Sequence, residues 1–300
     1  MKRTNTFIAT LLVWMIVSPS LGLLIDTEAS SSIVTSITSD SGDFISSNEL
    51  HVRDSTNISF SVSAISTSFN QGYFSFSGII NRTGTYNTTL GFEAGMHATA
   101  SSNSFVGYQA GKGGTTSAPF SSGGNNTALG YQALAGFTTG ATNVAVGSYS
   151  LDSITTGNAN VGIGYYAGSD LTTGIRNVII GENAGLYETN NFNTYMGYEA
   201  GRGSSSGNAS NTYNVGIGYQ ALKSARTATQ NVAVGHGAGA SMDEGDYNAL
   251  LGASAGNAIT DGDYNVAIGH QSMDAGTTIN NSVAVGYGAM GAVPSGQAVE

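Results

Sequence analysis

The stretch NVAIGHQSM, Asn265 to Met273, joins a short apolar run to a glycine, as many nucleotide-binding loops do. Nearly the same letters recur in NVAVGHGAG, NVGIGYYAG and NVAVGSYSL. With the closing glycine as a marker, twelve copies align, and seven of the eleven steps between markers are 17 residues long. This periodicity indicates a repeat protein rather than a single phosphate-binding loop. The markers are Gly91, Gly107, Gly130, Gly147, Gly164, Gly181, Gly197, Gly218, Gly235, Gly252, Gly269 and Gly286.

Counted from its marker glycine at position 0, each copy carries the same chemistry at fixed positions. An apolar residue precedes the glycine in all twelve copies, and Ala stands at position +3 in ten. Positions −3 and −1 lie on the same side of a strand, because side chains alternate between its two faces. We therefore predict that this side faces the core, with Val266 and Ile268 as examples.

Strands and turns explain the repeat better than helices, because a glycine in every copy would cost each helix about 1 kcal/mol. Turn signals such as TTG at Thr138 to Gly140 separate the markers. The sequence thus predicts an all-β fold: a parallel β-solenoid, or β-roll, of about twelve coils of ~17 residues, preceded by a small N-terminal β segment. Each coil would contain a strand, a turn, a second short strand near the Ala position and a return turn. At ~4.8 Å per coil the stack would be about 58 Å long.

Asparagine occupies position −4 in eleven of the twelve copies, and Ser282 takes its place in the last. Stacked coils bring these side chains into one column, in which amides can bond from coil to coil. We predict a structural Asn ladder in the turn, formed by Asn87, Asn103, Asn126, Asn143, Asn160, Asn177, Asn193, Asn214, Asn231, Asn248 and Asn265.

The N-terminus has the layout of a secretory signal, with Lys2 and Arg3 before an apolar run that ends at Val17. We predict a signal peptide over residues 1–22, and the alternative is an uncleaved membrane anchor. Residues 23–86 would form a β-rich cap or docking segment, because the period-2 stretches that start at Ile58 and Tyr73 indicate strands. The repeat domain would span 87–290, followed by a tail over 291–300.

Composition narrows the function. Only 9% of the residues are charged and the formal net charge is −10, so a basic surface for nucleic acid is not expected. Cysteine is absent, which excludes disulfides, thiolate metal sites and a cysteine nucleophile. The repeat aligns no set of Ser, His and acid residues, so we predict a protein that is not an enzyme and needs no organic cofactor.

The motifs NSVAVGYGA (Asn281 to Ala289) and NNTALGYQAL (Asn125 to Leu134) resemble known repeats. The first is similar to the head repeats of trimeric autotransporter adhesins of the Yersinia-adhesin type. The second is similar to repeats of phage-fibre-like and other surface proteins. The resemblance implies a left-handed parallel β-roll, a homotrimer and binding to extracellular matrix or cell surfaces. The 17-residue unit is longer than the common head repeat, and with only 14 residues after Gly286 we expect no stalk or membrane barrel.

Aromatic residues follow the marker glycine in seven copies. Tyrosine offers apolar area together with a hydroxyl, which suits a subunit seam, a ligand-binding stripe or a surface ladder that stacks on itself. The residues at position +1 are Phe92, Tyr108, Tyr131, Tyr165, Tyr198, Tyr219 and Tyr287.

Two further groups of side chains are candidate sites. Acidic residues stack in consecutive coils, where Ca²⁺ would relieve their repulsion, although a solvated acidic corner explains them as well. This weak metal candidate consists of Glu244, Asp246, Asp261 and Asp263. Sequons for N-glycosylation occur at Asn57, Asn81, Asn87, Asn125, Asn208 and Asn280.

The sequence as a whole predicts a secreted or cell-surface, non-enzymatic protein that forms a homo-oligomeric rod, trimeric by resemblance, and serves as an adhesin or fibre component. Its partners would be copies of itself and an extracellular ligand whose identity the residues do not specify. The alternative is a subunit that polymerises end to end into a filament or sheath through open strand edges. A weaker alternative is a glycan- or ice-binding solenoid.

Overall fold

A computed structural model describes residues 44–46, 49–51, 84–114, 121–187, 189–204 and 211–291. The chain divides into two units, Met1–Phe74 and Ser75–Glu300. In the first unit β1 (Phe44–Ser46) pairs antiparallel with β2 (Glu49–His51). The predicted signal peptide, and the strands predicted from Ile58 and Tyr73, lie outside the described residues.

The second unit contains one parallel sheet of twelve strands, each three residues long; each inner strand pairs with the strands of the coils before and after it, and each end strand pairs with one neighbour. Its strand order follows the chain, as a solenoid requires. This sheet confirms the predicted all-β parallel solenoid, and no helix in the described ranges is long and apolar enough to cross a membrane. The strands are β3 (Thr88–Leu90), β4 (Ser104–Val106), β5 (Thr127–Leu129), β6 (Val144–Val146), β7 (Val161–Ile163), β8 (Val178–Ile180), β9 (Thr194–Met196), β10 (Val215–Ile217), β11 (Val232–Val234), β12 (Ala249–Leu251), β13 (Val266–Ile268) and β14 (Val283–Val285).

Backbone hydrogen bonds join each coil to the next with the same pattern. At β6, the N–H of Val144 donates to the carbonyl of Asn160 in the following coil, over 2.8 Å. The carbonyl of Val146 accepts from the N–H of Gly164, also over 2.8 Å. Because every coil repeats these two contacts, the strands stay in register along the whole sheet.

The predicted orientation of the strands is wrong. Positions −3 and −1, including Val266 and Ile268, lie on the outer face, and position −2 between them faces the core. Phe105, Ile179 and Tyr195 at position −2 are fully buried. The sequence misleads because position −2 varies from Gly to Tyr, whereas positions −3 and −1 keep the more uniform apolar character that usually marks a core.

The core is narrow, and in most coils the side chains at positions −2 and +4 complement each other in size. Where position −2 holds Phe105, position +4 is Gly111, at which an added Cβ would overlap the Phe105 ring. Where position −2 is Ala128, position +4 is Leu134, which is fully buried. Position +7 completes the core with side chains such as Phe137. The large residue of a coil thus stands at position −2 in some coils and at position +4 in others, which keeps the core closely packed.

The second strand predicted near the Ala position is absent from the described coils, where turns take its place. Residues at positions +2 and +4 adopt left-handed backbone conformations, as Gln132 (φ 52°) and Leu134 (φ 53°) illustrate. Alternation between left- and right-handed residues is incompatible with an extended strand. The N–H of Leu134 nevertheless donates to the carbonyl of Ser150 over 3.0 Å, so this side of the solenoid also bonds from coil to coil.

The marker glycine has two reasons to be glycine. At Gly147, φ is 123°, a backbone conformation that L-residues rarely adopt. A Cβ there would also overlap the carbonyl of Gly164, the marker of the next coil. The stacked glycines thus let consecutive coils approach closely at the end of each strand.

Candidate interaction surface

The outer face of the sheet is apolar along its length. Every side chain at position −1 is apolar, position −3 holds Val, Thr, Ser or Ala, and no strand of β3 to β14 contains a charged residue. These side chains remain accessible: Leu129 is 49% exposed and Leu251 is 51% exposed. The outer face is therefore largely hydrophobic, and the residues that the structure describes leave it accessible.

An aromatic column borders this face on the side of position +1. The seven predicted residues are all exposed, and several stack on each other, with ring centroids 5.0 Å apart for Tyr108 and Tyr131 and 5.3 Å apart for Tyr198 and Tyr219. His236 and His270 belong to the same column and stack on Tyr219 and Tyr287. The rings thus form a ladder that stacks on itself.

A second aromatic column at position −5 borders the other side of the face, and our sequence reasoning missed it. Tyr247 and Tyr264 stack there with centroids 4.8 Å apart and planes 2° from parallel. Phe192 and Tyr213 stack in the same way at 4.9 Å, and the guanidinium of Arg176 lies over the Phe192 ring. The column is visible in the sequence as the residue before each ladder asparagine, but polar residues interrupt it.

Tyrosines also meet across neighbouring columns. Tyr149 stacks face to face on Tyr166 at 4.8 Å and contacts the ring of Tyr131 edge-on at 5.2 Å. A hydrogen bond with Tyr131, together with desolvation, raises the pKa of Tyr149. A hydrogen bond with Tyr165 likewise raises the pKa of Tyr166. These phenols therefore stay protonated beyond the ordinary range of tyrosine.

The ladder asparagines lie inside the solenoid, at the entrance to each strand, instead of in an exposed turn. From Asn103 to Asn265, the backbone N–H of each one donates to the side-chain Oδ1 of the asparagine in the preceding coil, over 2.7–3.0 Å. The side-chain Nδ2 donates to a carbonyl across the coil, as from Asn160 to Gly174 over 2.7 Å. Direct amide-to-amide bonds of the predicted kind occur at five steps.

Ser282 ends this ladder in the last coil. Its backbone N–H donates to Oδ1 of Asn265 over 3.1 Å, as an asparagine there would. Its own hydroxyl donates to the nearby carbonyl of Asn280. A further coil stacked on this one would therefore find no asparagine Oδ1 to accept its N–H.

The acidic corner forms a second ladder, at position −6. Oδ1 of Asp246 accepts the N–H of Thr229 over 2.6 Å, and Oδ1 of Asp263 accepts the N–H of Asp246 over 2.8 Å. Glu244 pairs with Arg226 over 2.7 Å, and Asp261 accepts from the hydroxyl of Thr260. Within the described ranges, no three His, Cys, Asp or Glu side chains come together as a metal site. The four carboxylates thus each have a partner in the chain itself.

A shallow groove of about 590 Å³ lies beside this corner, lined by Arg202, Lys223, Arg226 and Asp243. Glu199 accepts from Lys223 over 2.8 Å and from Arg202 over 2.9 Å. Arg226 pairs with Asp243 over 2.9 Å as well as with Glu244. Because each cation already has a carboxylate partner, the groove offers no unpaired positive charge to an anionic ligand.

The sequons differ in what their asparagines do. Asn87 belongs to the ladder, and Oδ1 of Asn280 accepts the N–H of Asp263. Asn125 is exposed, and of the three it is the one best placed for modification. The other predicted sequons, Asn57, Asn81 and Asn208, lie outside the described residues.

The outer surface of the sheet therefore consists of a largely apolar strip that repeats in every coil, bordered by two interrupted aromatic columns. Comparison of the chain with protein-family models, with curated proteins and with solved structures finds no match to any of them.

Proposed function

We propose that the chain is a secreted, non-enzymatic protein that assembles with copies of itself into a rod and acts as a surface adhesin or fibre component. The observation that carries the proposal is the apolar outer face. Parallel sheets are almost always covered on both faces, and here the solenoid covers one. An uncovered apolar surface of this extent is typical of a protein interaction site.

A second copy of the chain is the partner that fits this face. The apolar strip repeats at the coil spacing of ~4.8 Å, so a partner with the same period can match it at every coil. From position −5 to position +1 there are six residue steps, so the face is at most about 20 Å wide, and twelve coils make it about 58 Å long, which gives an area of at most about 1,200 Å². Stable interfaces bury about 800 Å² per partner, so the face is large enough.

Three copies are proposed because of the resemblance to trimeric adhesin heads, and the adhesin role follows from the same resemblance. A rod that displays repeated exposed loops and tyrosine edges offers many equivalent contacts to a surface. Avidity from such repetition strengthens attachment without any single tight site.

The experiment is to measure the mass of the purified protein in solution by light scattering and to image it by negative-stain microscopy. The double variant Ile163→Lys and Ile217→Lys places two charges on the outer face. We expect the parent protein to form discrete oligomeric rods and the variant to dissociate into monomers, because a buried unpaired charge costs several kcal/mol. The matched control Thr173→Lys adds charge at an exposed turn and should leave the oligomer intact. A parent protein that is monomeric at micromolar concentration would overturn the proposal.

The second candidate is a subunit that polymerises end to end. It is favoured by the last strand, β14, where Val283 and Val285 are 68% and 65% exposed. It is disfavoured by Ser282, which provides no asparagine Oδ1 for the next coil. Indefinite filaments under the microscope would favour this alternative over discrete rods.

A further inference from the structure

Pairs of exposed tyrosines stack face to face between consecutive coils. Tyr247 and Tyr264 have ring centroids 4.8 Å apart and planes 2° from parallel. Tyr108 and Tyr131 have centroids 5.0 Å apart and planes 8° from parallel. From this geometry we propose that both pairs are sites of oxidative cross-linking, at which a dityrosine bond joins one coil covalently to the next.

Register brings the reacting carbons of each pair together. Tyr247 and Tyr264 occupy the same position in adjacent coils and have nearly the same backbone conformation, with φ of 58° and 59°. Their rings lie parallel, with centroids 4.8 Å apart, so the ortho carbons of one phenol lie near the other ring. Rotation of the exposed side chains has to bring two ortho carbons together before the bond can form.

In the single chain, an oxidant in solution can reach these rings. Tyr247 and Tyr264 are 48% and 55% exposed, and Tyr108 and Tyr131 are exposed to a similar extent. Tyr149 and Tyr166 stack equally closely but are half-buried, so we expect this pair to react less. Tyr198 and Tyr219 stack at 5.3 Å with a 13° tilt, and we expect an intermediate yield from them.

The reaction needs a peroxidase with hydrogen peroxide, or another one-electron oxidant. Each phenol gives up one electron and one proton, and the two phenoxyl radicals join through their ortho carbons. Both ring carbons then lose their hydrogen as the phenols re-form. Two tyrosines and one hydrogen peroxide thus yield one dityrosine and two waters, so the peptide loses two hydrogens in all.

The position of the two pairs gives the cross-links a structural role. A solenoid loses structure from its ends, because a terminal coil has only one neighbour. Tyr108 and Tyr131 join the second coil to the third, and Tyr247 and Tyr264 join the tenth to the eleventh. The chain contains no cysteine, so disulfides cannot close these loops. A dityrosine bond would restrict the unfolded chain as a disulfide does.

The chain contains its own controls for the chemistry. Phe192 and Tyr213 stack at 4.9 Å with planes 1° from parallel, and Tyr219 and His236 stack at 4.9 Å with planes 7° from parallel. Neither pair has two phenols, so neither can form dityrosine whatever its geometry. These two pairs therefore show what stacked rings give under oxidation when no dityrosine bond can form.

The test treats the dilute full chain with peroxidase and hydrogen peroxide and maps the linked peptides by mass spectrometry. Trypsin cleaves at Lys112, between Tyr108 and Tyr131, and an Asp-specific protease cleaves at Asp261, between Tyr247 and Tyr264. Each link therefore joins two separate peptides. A mixture of isotope-labelled and unlabelled chains distinguishes links within one chain from links between chains.

We expect both links within single chains, with more dityrosine fluorescence from the folded protein than from the urea-unfolded protein at equal concentration. Tyr247→Phe should abolish its own link and leave the one between Tyr108 and Tyr131. Tyr213→Phe, which alters a stacked tyrosine without a phenolic partner, should leave both. Links only between chains, or equal yields from folded and unfolded protein, would overturn the proposal.

Both tyrosine columns lie within the face counted for the proposed interface between copies. The same measurement on the double variant Ile163→Lys and Ile217→Lys, in which that interface is broken, therefore separates failure of the cross-linking proposal from failure of the proposed oligomer.

Discussion

The inner and outer faces of the solenoid sheet differ in how much their side chains vary from coil to coil. The inner face varies from coil to coil, so that a large residue such as Phe105 meets a glycine and a small one such as Ala128 meets Leu134. The outer face hardly varies, with an aliphatic side chain or methionine at position −1 in every coil. Side chains that vary in size from coil to coil, with a matching change at a second position, are typical of a core that the chain fills by itself. Side chains that stay the same in every coil are what a partner with the same period can bind.

The largest expected effect on stability comes from disturbing the size pairing between positions −2 and +4 in the core. Phe105→Ala leaves a cavity opposite Gly111, and we expect unfolding to become easier by about 3–5 kcal/mol. The double variant Phe105→Ala with Gly111→Leu copies the arrangement of Ala128 and Leu134, whose left-handed backbone already accepts leucine. It should recover a substantial part of the lost stability, measured by thermal and urea unfolding. If Gly111→Leu fails to help the Phe105→Ala protein, size compensation within a coil is not the packing rule.

The next effect concerns the buried asparagines beside the core. Asn160→Ala removes the acceptor of the Asn177 N–H and the donor to the Gly174 carbonyl, both buried. We expect a loss of about 1–3 kcal/mol, the cost of an unsatisfied buried polar group. The control Asn158→Ala removes an exposed amide that also bonds to the preceding coil. Equal melting temperatures for the two variants would show that burial does not strengthen the ladder.

The smallest expected effect on stability comes from the ion pairs of Glu199 with Arg202 and Lys223. Burial favours a higher pKa for Glu199, but hydrogen bonds from Lys223 and Gln220 and the charge of Arg202 outweigh it and hold the pKa below its ordinary value. A carboxylate with a lowered folded pKa stabilises the protein above its unfolded pKa of about 4.3, and this contribution is lost as the pH falls through the folded pKa.

Melting temperatures measured from neutral to acidic pH check this contribution. Glu199→Gln should be less stable than the parent near neutral pH, and the difference should shrink as the pH falls below about 4.3. Glu182→Gln removes the same charge from an exposed position as a control. A difference between Glu199→Gln and the parent that stays constant with pH would contradict the predicted linkage.

The period of the repeat was sufficient to predict the parallel solenoid, because marker glycines spaced by one coil leave few other arrangements. It was not sufficient to orient the strands. A rule that assigns uniformly apolar positions to the core fails where the core is one side chain thick and Gly162 or Gly216 can occupy a core position. The correct signal was the pairing of small residues at −2 with Leu or Met at +4. The role of Asp246 and Asp263 as backbone acceptors depends on side-chain direction in a turn, which the spacing does not encode.

Two coils do not follow the size pairing, and this makes them dependent on their neighbours. Gly162 and Gly168 are both small, and Leu151 of the preceding coil occupies the space beside them. Beside Gly239, Leu222 and Leu250 enter from the two flanking coils. A coil that fills its own interior can be copied or deleted as a unit by gene duplication or loss. A coil whose interior is filled by others can be inherited only together with them, so the array should grow and shrink in some places and stay fixed in others.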